Sequence, residues 1–459
     1  MKTIFLSVYD GDTEKNVLRT GTFAYLKASG HRIVLLIRGA DRIEYYKKEF
    51  GSDQVVIELL PHATTAAERL WYFIGWNSLP TNAAEIRRHM YLARGWPYSR
   101  YLIGRVFGFF GHVRMWREFL RFVYRMIPDN YAGDIFDKHK PDLFFAPGMF
   151  SPEDSRLLKN ARRRGIKTVA TAKSWDVLTT KAFTRVKADK LLVFNEFNRR
   201  EAIELGDYSA EKVVVTGFPQ FDGYAHPETF STREEFFARV GADPAKRLIC
   251  IAVPGDWKTP HTKEIMAELD RRIEAGKFPV PLQVLARFHP KYPDAAEGMK
   301  LKHFVFNRPG THLSDKKEFT IDAGVSNSFS WTFTGSDIRH LADTMKYSDI
   351  VINTESTLTL DAAANDTPVV LIGYDGTAKL PYWDSVARIY EREHYTHVTD
   401  TGSAPLTKSD DELEEAIKTF LTNPEYKRAE REHLKKDMLY KIDGKAAERA
   451  SGAILEMLS

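Results

Sequence analysis

A single cysteine among 459 residues excludes an internal disulfide and a thiolate zinc cluster. That residue, Cys250, stands in the apolar run Arg247-Leu248-Ile249-Cys250-Ile251-Ala252-Val253, and a reducing compartment fits it. No apolar stretch approaches the roughly 18–20 residues that span a bilayer. The opening run, Met1 to Val8, turns polar at Asp10 and is too short for a secretory leader, so a cytoplasmic location is expected. An excess of one charge is also missing. Sixty-six basic residues against 62 acidic ones leave a net charge of +4, too little to point to nucleic acid. With 43% hydrophobic and 28% charged residues, the chain is neither disordered nor fibrous, and its length points to two domains.

Strand-like and helix-like segments alternate along the chain. Residues 3–8 read as a strand, 14–29 as a helix and 32–38 as a second strand, the pattern of a βαβ unit with parallel strands. The alternation recurs through strands expected at 142–146, 167–172, 190–194 and 212–216. A second series follows, with strands at 248–253, 282–287, 350–353 and 369–372 and helices at 265–275, 338–345 and 357–364. Near-continuous apolar strands indicate sheets covered on both faces. The expected fold is α/β, with two doubly wound Rossmann-like domains facing a central cleft. The boundaries are 1–225 for an acceptor-binding domain, 226–415 for a donor-binding domain, and 416–459 for charged helices packing back on the first. In such folds ligands sit at the carboxyl ends of the strands.

One segment, about 80–130, reads as a helical insertion. Between 86 and 126 it carries nine arginines, with aromatics such as Trp96, Phe109, Trp116, Phe119 and Phe122 interleaved and Glu118 the lone acid. That composition suits the surface of an anionic membrane or a lipid-linked acceptor. The plainer alternative is an insertion whose aromatics face the protein while its arginines face water. No nucleic-acid motif accompanies it.

Four loops carry candidate chemistry. In Asn353-Thr354-Glu355-Ser356-Thr357 the two hydroxyl residues fall at a helix start, where free amides and hydroxyls receive an anion; an N-cap role is the plainer alternative. Arg287-Phe288-His289-Pro290 follows a strand and presents an imidazole able to donate to a phosphate or a base edge. Ser174-Trp175-Asp176 sets a carboxylate beside an aromatic ring, suitable for a general base, or for capping the next turn. Tyr9-Asp10-Gly11-Asp12 offers two further carboxylates, with no third ligand to complete a metal site.

Together these loops resemble GT-B type glycosyltransferases of bacterial surface-polysaccharide synthesis, in particular the CDP-glycerol glycerophosphotransferase family and the His-Pro-containing sialyl and Kdo transferases. Arg287-Phe288-His289-Pro290 is similar to the motif that contacts the donor nucleotide there, and Glu355-Ser356-Thr357 to the turn that binds the donor phosphate, with Thr357 replacing a serine. Residues 174–181, ending in Lys181, resemble the Trp-His-Gly-Thr-Pro-x-Lys element, with Asp176 in place of the histidine and Val177 in place of the glycine. Residues 213–222 resemble the segment leading into the second domain.

The resemblance implies a metal-independent glycosyltransferase without a cofactor. It would use a CMP-, CDP- or UDP-linked sugar to extend a lipid-linked or surface glycan, peripherally at the inner face of a membrane. Alternatives are a CDP-glycerol-type glycerophosphotransferase and a UDP-GlcNAc 2-epimerase-like enzyme. Donor contacts are expected from Arg287, His289, Pro290, Glu355, Ser356, Thr357 and Lys181, and the base from Asp176, Asp10 or Asp12.

Overall fold

A computed structural model describes residues 1–61, 63, 65–254, 261–290, 292, 298–318 and 328–459. The apolar runs form parallel strands, as chains buried on both faces must. In the first unit, β1 (Thr3–Val8), β2 (Arg32–Ile37), β3 (Val55–Leu59), β4 (Leu143–Ala146), β5 (Lys167–Thr171), β6 (Lys190–Val193) and β7 (Val213–Val215) make one sheet. Their order is β3-β2-β1-β4-β5-β6-β7. Ile4 sits opposite both Ile33 and Leu143, and Ile4, Leu6, Ile33 and Leu35 are wholly buried in one core.

The helix expected over 14–29 is broken in two. Residues Glu14–Leu18 wind as a π-helix, and Thr20 turns extended and accepts the Thr22 amide to start α1 (Gly21–Ala28). Capping by an interior threonine outcompetes continuation of a single helix.

Between β3 and β4 lie α2 (Ala66–Asn77), α3 (Asn82–Ala93), α4 (Tyr98–Gly111) and α5 (Arg114–Met126). None of the described helices is long and apolar enough to cross a membrane. The expectation that arginines face water and aromatics face inward is corrected here. Arg87, Arg88, Arg117 and Arg121 are buried, whereas Phe109, Phe119 and Phe122 are exposed. Arg88 explains the inversion. Its Nη2 donates to the Asn77 carbonyl at 2.9 Å and its Nε to Asn77 Oδ1 at 3.2 Å, tying α3 to the end of α2. Gly108 on α4 leaves room for that guanidinium: a Cβ there would lie 2.5 Å from Arg88 Nη2. Not all aromatics turn out, since Tyr91 stacks on Trp96 with centroids 4.4 Å apart. Beyond β4, Ser151 caps α6 (Pro152–Arg163).

The second unit holds β8 (Arg247–Val253), β9 (Leu282–Phe288), β10 (Phe304–Asn307), β13 (Ile350–Asn353), β14 (Val369–Ile372) and β15 (Leu406–Thr407), in the order β10-β9-β8-β13-β14-β15. A separate antiparallel pair is formed by β11 (Thr311–Glu318) and β12 (Ser328–Thr332). Its helices include α7 (Gly335–Tyr347), α8 (Leu358–Ala364), α9 (Asp410–Thr422) and α10 (Arg428–Leu439).

The units comprise Met1–Asp222 with Asp443–Ser459, and Gly223–Ile442. The return to the first unit therefore begins at Asp443 rather than 416. Leu413, Ile417 and Phe420 of α9 complete the core of the second unit, which holds that helix there. The returning α11 (Ala446–Leu455) lays Ala450 and Ile454 on the first core. The Asp222 carboxylate accepts the amides of Ala446 and Ala447 at 2.9 and 2.8 Å, satisfying donors at the start of that helix.

Candidate functional site

Where the strand order of an open parallel sheet reverses, the loops after two neighbouring strands part and leave a crevice. In the first sheet that point lies between β1 and β4, and in the second between β8 and β13.

After β1, Asp10 takes an extended conformation and accepts the Thr13 amide at 2.9 Å and the Thr13 hydroxyl at 3.0 Å through Oδ1. Its Oδ2 accepts from the Lys173 ammonium, which also lies 3.2 Å from Asp12 Oδ2. Lys173 lies two residues beyond the end of β5, and Asn16 Nδ2 fixes its carbonyl at 3.1 Å. Burial alone would lower the pKa of Lys173, but the charges of Asp10 and Asp12 outweigh it and hold the ammonium well above its ordinary value. An ammonium thus stands between the carboxylates of the acid-x-acid pair. Beside it opens a small cavity of about 30 Å³ lined by Thr13, Asn16, Lys173, Phe145, Phe194 and Thr216.

Behind this loop lies a buried carboxylate. The Tyr9 hydroxyl donates to Asp154 Oδ1 at 2.5 Å, and the Gly148 amide to Oδ2 at 2.8 Å. Asp154 therefore joins the loops after β1 and β4 across the reversal point. Burial pushes its carboxyl up to about 7.

Asp176 lies three residues beyond Lys173, half-buried, before the short helix Val177–Thr180. Thr180 Oγ1 donates to the Asp176 carbonyl at 2.9 Å and to its Oδ2 at 3.3 Å. The neighbouring Trp175 is buried, and its carbonyl accepts from Asn198 at 2.8 Å. Lys181, also half-buried, closes that helix.

In the second unit His289 follows β9. Its amide donates to the Val253 carbonyl at 3.1 Å, its side chain is exposed, and Pro290 is half-buried. Ser356 and Thr357 follow β13, both half-exposed, and Ser356 Oγ accepts the Leu358 amide at 3.2 Å. Strand β8 alone separates β9 from β13, which places the two loops about 10 Å apart on one sheet edge.

Two expected donor contacts instead point inward. Every residue of β9 is buried, and the Arg287 guanidinium donates to Asn307 Oδ1 at 3.2 Å. Burial lowers its pKa, while Asp361 and Tyr224 favour its charge. Tyr224 in turn donates to Asp361 Oδ1 at 2.6 Å. Glu355 is 8% exposed and pairs with Arg392 at 2.7 Å and with His394 at 2.7 Å. Both act from beneath their loops. The loop after β13 is further tied from behind: Thr359 Oγ1 lies 2.8 Å from the Tyr395 hydroxyl and donates to Asn353 Oδ1 at 3.2 Å.

The structure thus brings Asp10 and Asp12 onto one ammonium, keeps Asp176 on the same loop as that ammonium, and sets His289 and Ser356-Thr357 on one edge. Sequence reasoning missed Lys173 and Asp154. The Ser151-Pro152-Glu153-Asp154 run signals a helix start, but nothing in it marks a buried acid.

No protein-family model and no curated protein matches the chain. Solved structures do. Over the whole chain it is similar to the S. aureus MnaA–UDP co-structure, at 12% identity and a TM-score of 0.55, covering 97% of that chain. It is similar to a glycosyltransferase from Rickettsia africae at 12% identity and a TM-score of 0.51, covering 99% of that chain. A third match is the wall teichoic acid polymerase TagF, at 10% identity and a TM-score of 0.53, with 89% of that chain covered. At such identities the likeness is one of fold, and the fold is GT-B.

Proposed function

We propose that the chain is a GT-B glycosyltransferase that takes a sugar from a CMP-, CDP- or UDP-linked donor and adds it to a lipid-linked or surface glycan. One observation carries this reading. The strand-order reversal of each sheet is flanked by the polar loops that the chemistry requires: Asp10-Gly11-Asp12 in the first, Glu355-Ser356-Thr357 in the second. A base is wanted on the acceptor side and an anion grip on the donor side.

In the second unit the hydroxyls of Ser356 and Thr357 with the imidazole of His289 and the turn at Pro290 hold the donor's phosphate and base. Arg287 and Glu355 brace those loops from inside. In the first unit Asp176 is the base. Asp10 spends its oxygens on Thr13 and Lys173, and a carboxylate so committed is a weaker proton acceptor, leaving Asp12 as the second choice. Fixed cations, Lys181 foremost, offset the charge of the departing nucleotide, and the reaction needs no metal ion.

Membrane contact belongs to the same reading. Twelve of the 18 large hydrophobic side chains that are exposed among the described residues fall between Tyr98 and Ile127. A patch of that extent beside arginines suits an anionic bilayer carrying the acceptor.

Thermal unfolding with CMP, CDP, UDP and GDP tests the donor half. A nucleotide at a hundred times its Kd stabilises by about 2.7 kcal/mol. Ser356→Ala and His289→Ala should each weaken that nucleotide roughly three- to ten-fold, the value of one hydrogen bond. Unchanged titrations would remove both from the site. Release of free sugar with no acceptor present would favour an epimerase-type reaction instead.

A further inference from the structure

The opposite side of α5 from the protein core holds a second feature that the transfer reaction does not use. Its exposed apolar residues Met115, Phe119, Phe122 and Met126 recur at spacings of four, three and four, one stripe along the helix. Arg114, Arg121 and Arg125 each precede a member of that stripe by one position, so they form a parallel stripe about 100° around the helix. They face an open cavity of about 230 Å³, whose other walls include Arg162, Lys187 and Lys212.

The acids of this region are already committed. Asp207 at the base of the cavity is buried and takes Arg117 at 2.9 and 2.6 Å and Arg121 at 2.6 Å. Lys187 is paired with Glu118 at 2.7 Å and Arg162 with Asp189 at 3.1 Å. Arg114 approaches the shared Asp207 only to 3.7 Å. Arg125 and Lys212, both exposed, make no ion pair among the described residues. The cavity therefore keeps an excess of positive charge and calls for an anion.

We propose that this cavity binds the phosphate head of an anionic phospholipid. The apolar stripe turned about 100° from its cationic wall would rest in the acyl region, which places the cavity at headgroup depth. A soluble phosphate would need no such neighbour. The proposal rests on the membrane contact argued above and names the lipid chemistry that the contact selects.

The test is co-sedimentation of the full chain with vesicles of phosphatidylcholine alone and of phosphatidylcholine mixed with phosphatidylglycerol. The wild-type chain should prefer the mixed vesicles. Arg125→Ala/Lys212→Ala should lose roughly five-fold in that preference for each charge, about 25-fold together, while its binding to phosphatidylcholine stays unchanged. Both side chains are exposed and make no ion pair among the described residues, so the fold survives. Lys48→Ala, on the helix Ile43–Phe50, removes a charge elsewhere and should change binding less than two-fold. Phe119→Ser/Phe122→Ser should weaken binding to both vesicles. The assignment is overturned if the double cation variant behaves like wild type or like Lys48→Ala. It is also overturned if inorganic phosphate raises the melting temperature through Arg125 and Lys212 while the chain shows no preference for phosphatidylglycerol. Failure of the wild type to bind either vesicle would overturn the membrane reading with it, whereas equal binding by wild type and variant would overturn the cavity alone.

Discussion

Asp154→Asn removes an ionisable group from the interior of the first unit while keeping the side chain's shape. The native carboxyl, fully buried, titrates at about 7, against about 3.9 for an aspartate in an unfolded chain. Between those two values the folded chain keeps a proton that the unfolded chain has lost. Its contribution to stability therefore falls as pH rises from about 4 to about 7 and is level beyond. At ~1.4 kcal/mol per pH unit the whole window is worth about 4 kcal/mol. Asparagine does not titrate. Its carbonyl oxygen can keep the Gly148 amide while its NH2 donates to the Tyr9 oxygen, whose hydroxyl hydrogen rotates away, at a cost of about 1 kcal/mol. Urea unfolding of both proteins at steps between about pH 4 and pH 8 isolates the effect, because every other titrating group cancels in the difference. The variant should be less stable by about 1 kcal/mol at the acid end and more stable by about 3 kcal/mol at the alkaline end. A difference that stays flat with pH would refute the reasoning: the donors from Tyr9 and Gly148 would then have kept the carboxylate ionised throughout.

Asp176→Asn should lower turnover by about 10²- to 10⁴-fold, the usual worth of a general base, with donor affinity within two-fold in a parallel titration. Near-normal turnover would pass that role to Asp12. Lys173→Met removes an attraction to Asp12 of about 5 kcal/mol gross, taken at 3.2 Å with an effective dielectric of 20, and a second to Asp10. Desolvation offsets most of it, leaving a net loss of ~1–3 kcal/mol, seen as a melting temperature several degrees lower; an unchanged melt would show the ammonium to be dispensable for stability. Glu355→Gln leaves Arg392 and His394 without their carboxylate and should cost about 3 kcal/mol in chemical denaturation. A loss below about 1 kcal/mol would mean that water replaces the pairing.

The parallel strands were legible because burial on both faces leaves long apolar runs, and runs such as 248–253 and 350–353 suit little besides a strand covered by helices on either side. The loops were legible for a related reason: polar residues directly after such a run must lie at a carboxyl edge. What the loops do with their side chains was not. Arg287 and His289 differ by two positions, yet the first is interior and the second exposed, because β9 ends between them. Lys173 pairs across more than 160 residues with Asp10, a contact no local pattern encodes. Strand β10 and the β11–β12 pair were overlooked, since β10 lies half-buried at the edge of its sheet and β11 is polar along nearly its whole length. The insertion misled through composition. Nine arginines suggested a wet surface, but several of them spend their donors on backbone carbonyls and on Asp207 inside the protein.

The excursion of the chain out of the first unit at Asp222 and back at Asp443 sets an order of events during synthesis. The growing polypeptide can complete seven strands early, yet Ala450, Ile454 and Leu458, which close that core, emerge only after the intervening 220 residues. At about 5–20 residues per second the ribosome needs on the order of 10–40 s to supply them. During that interval the open side of the nascent sheet is a natural client for chaperones.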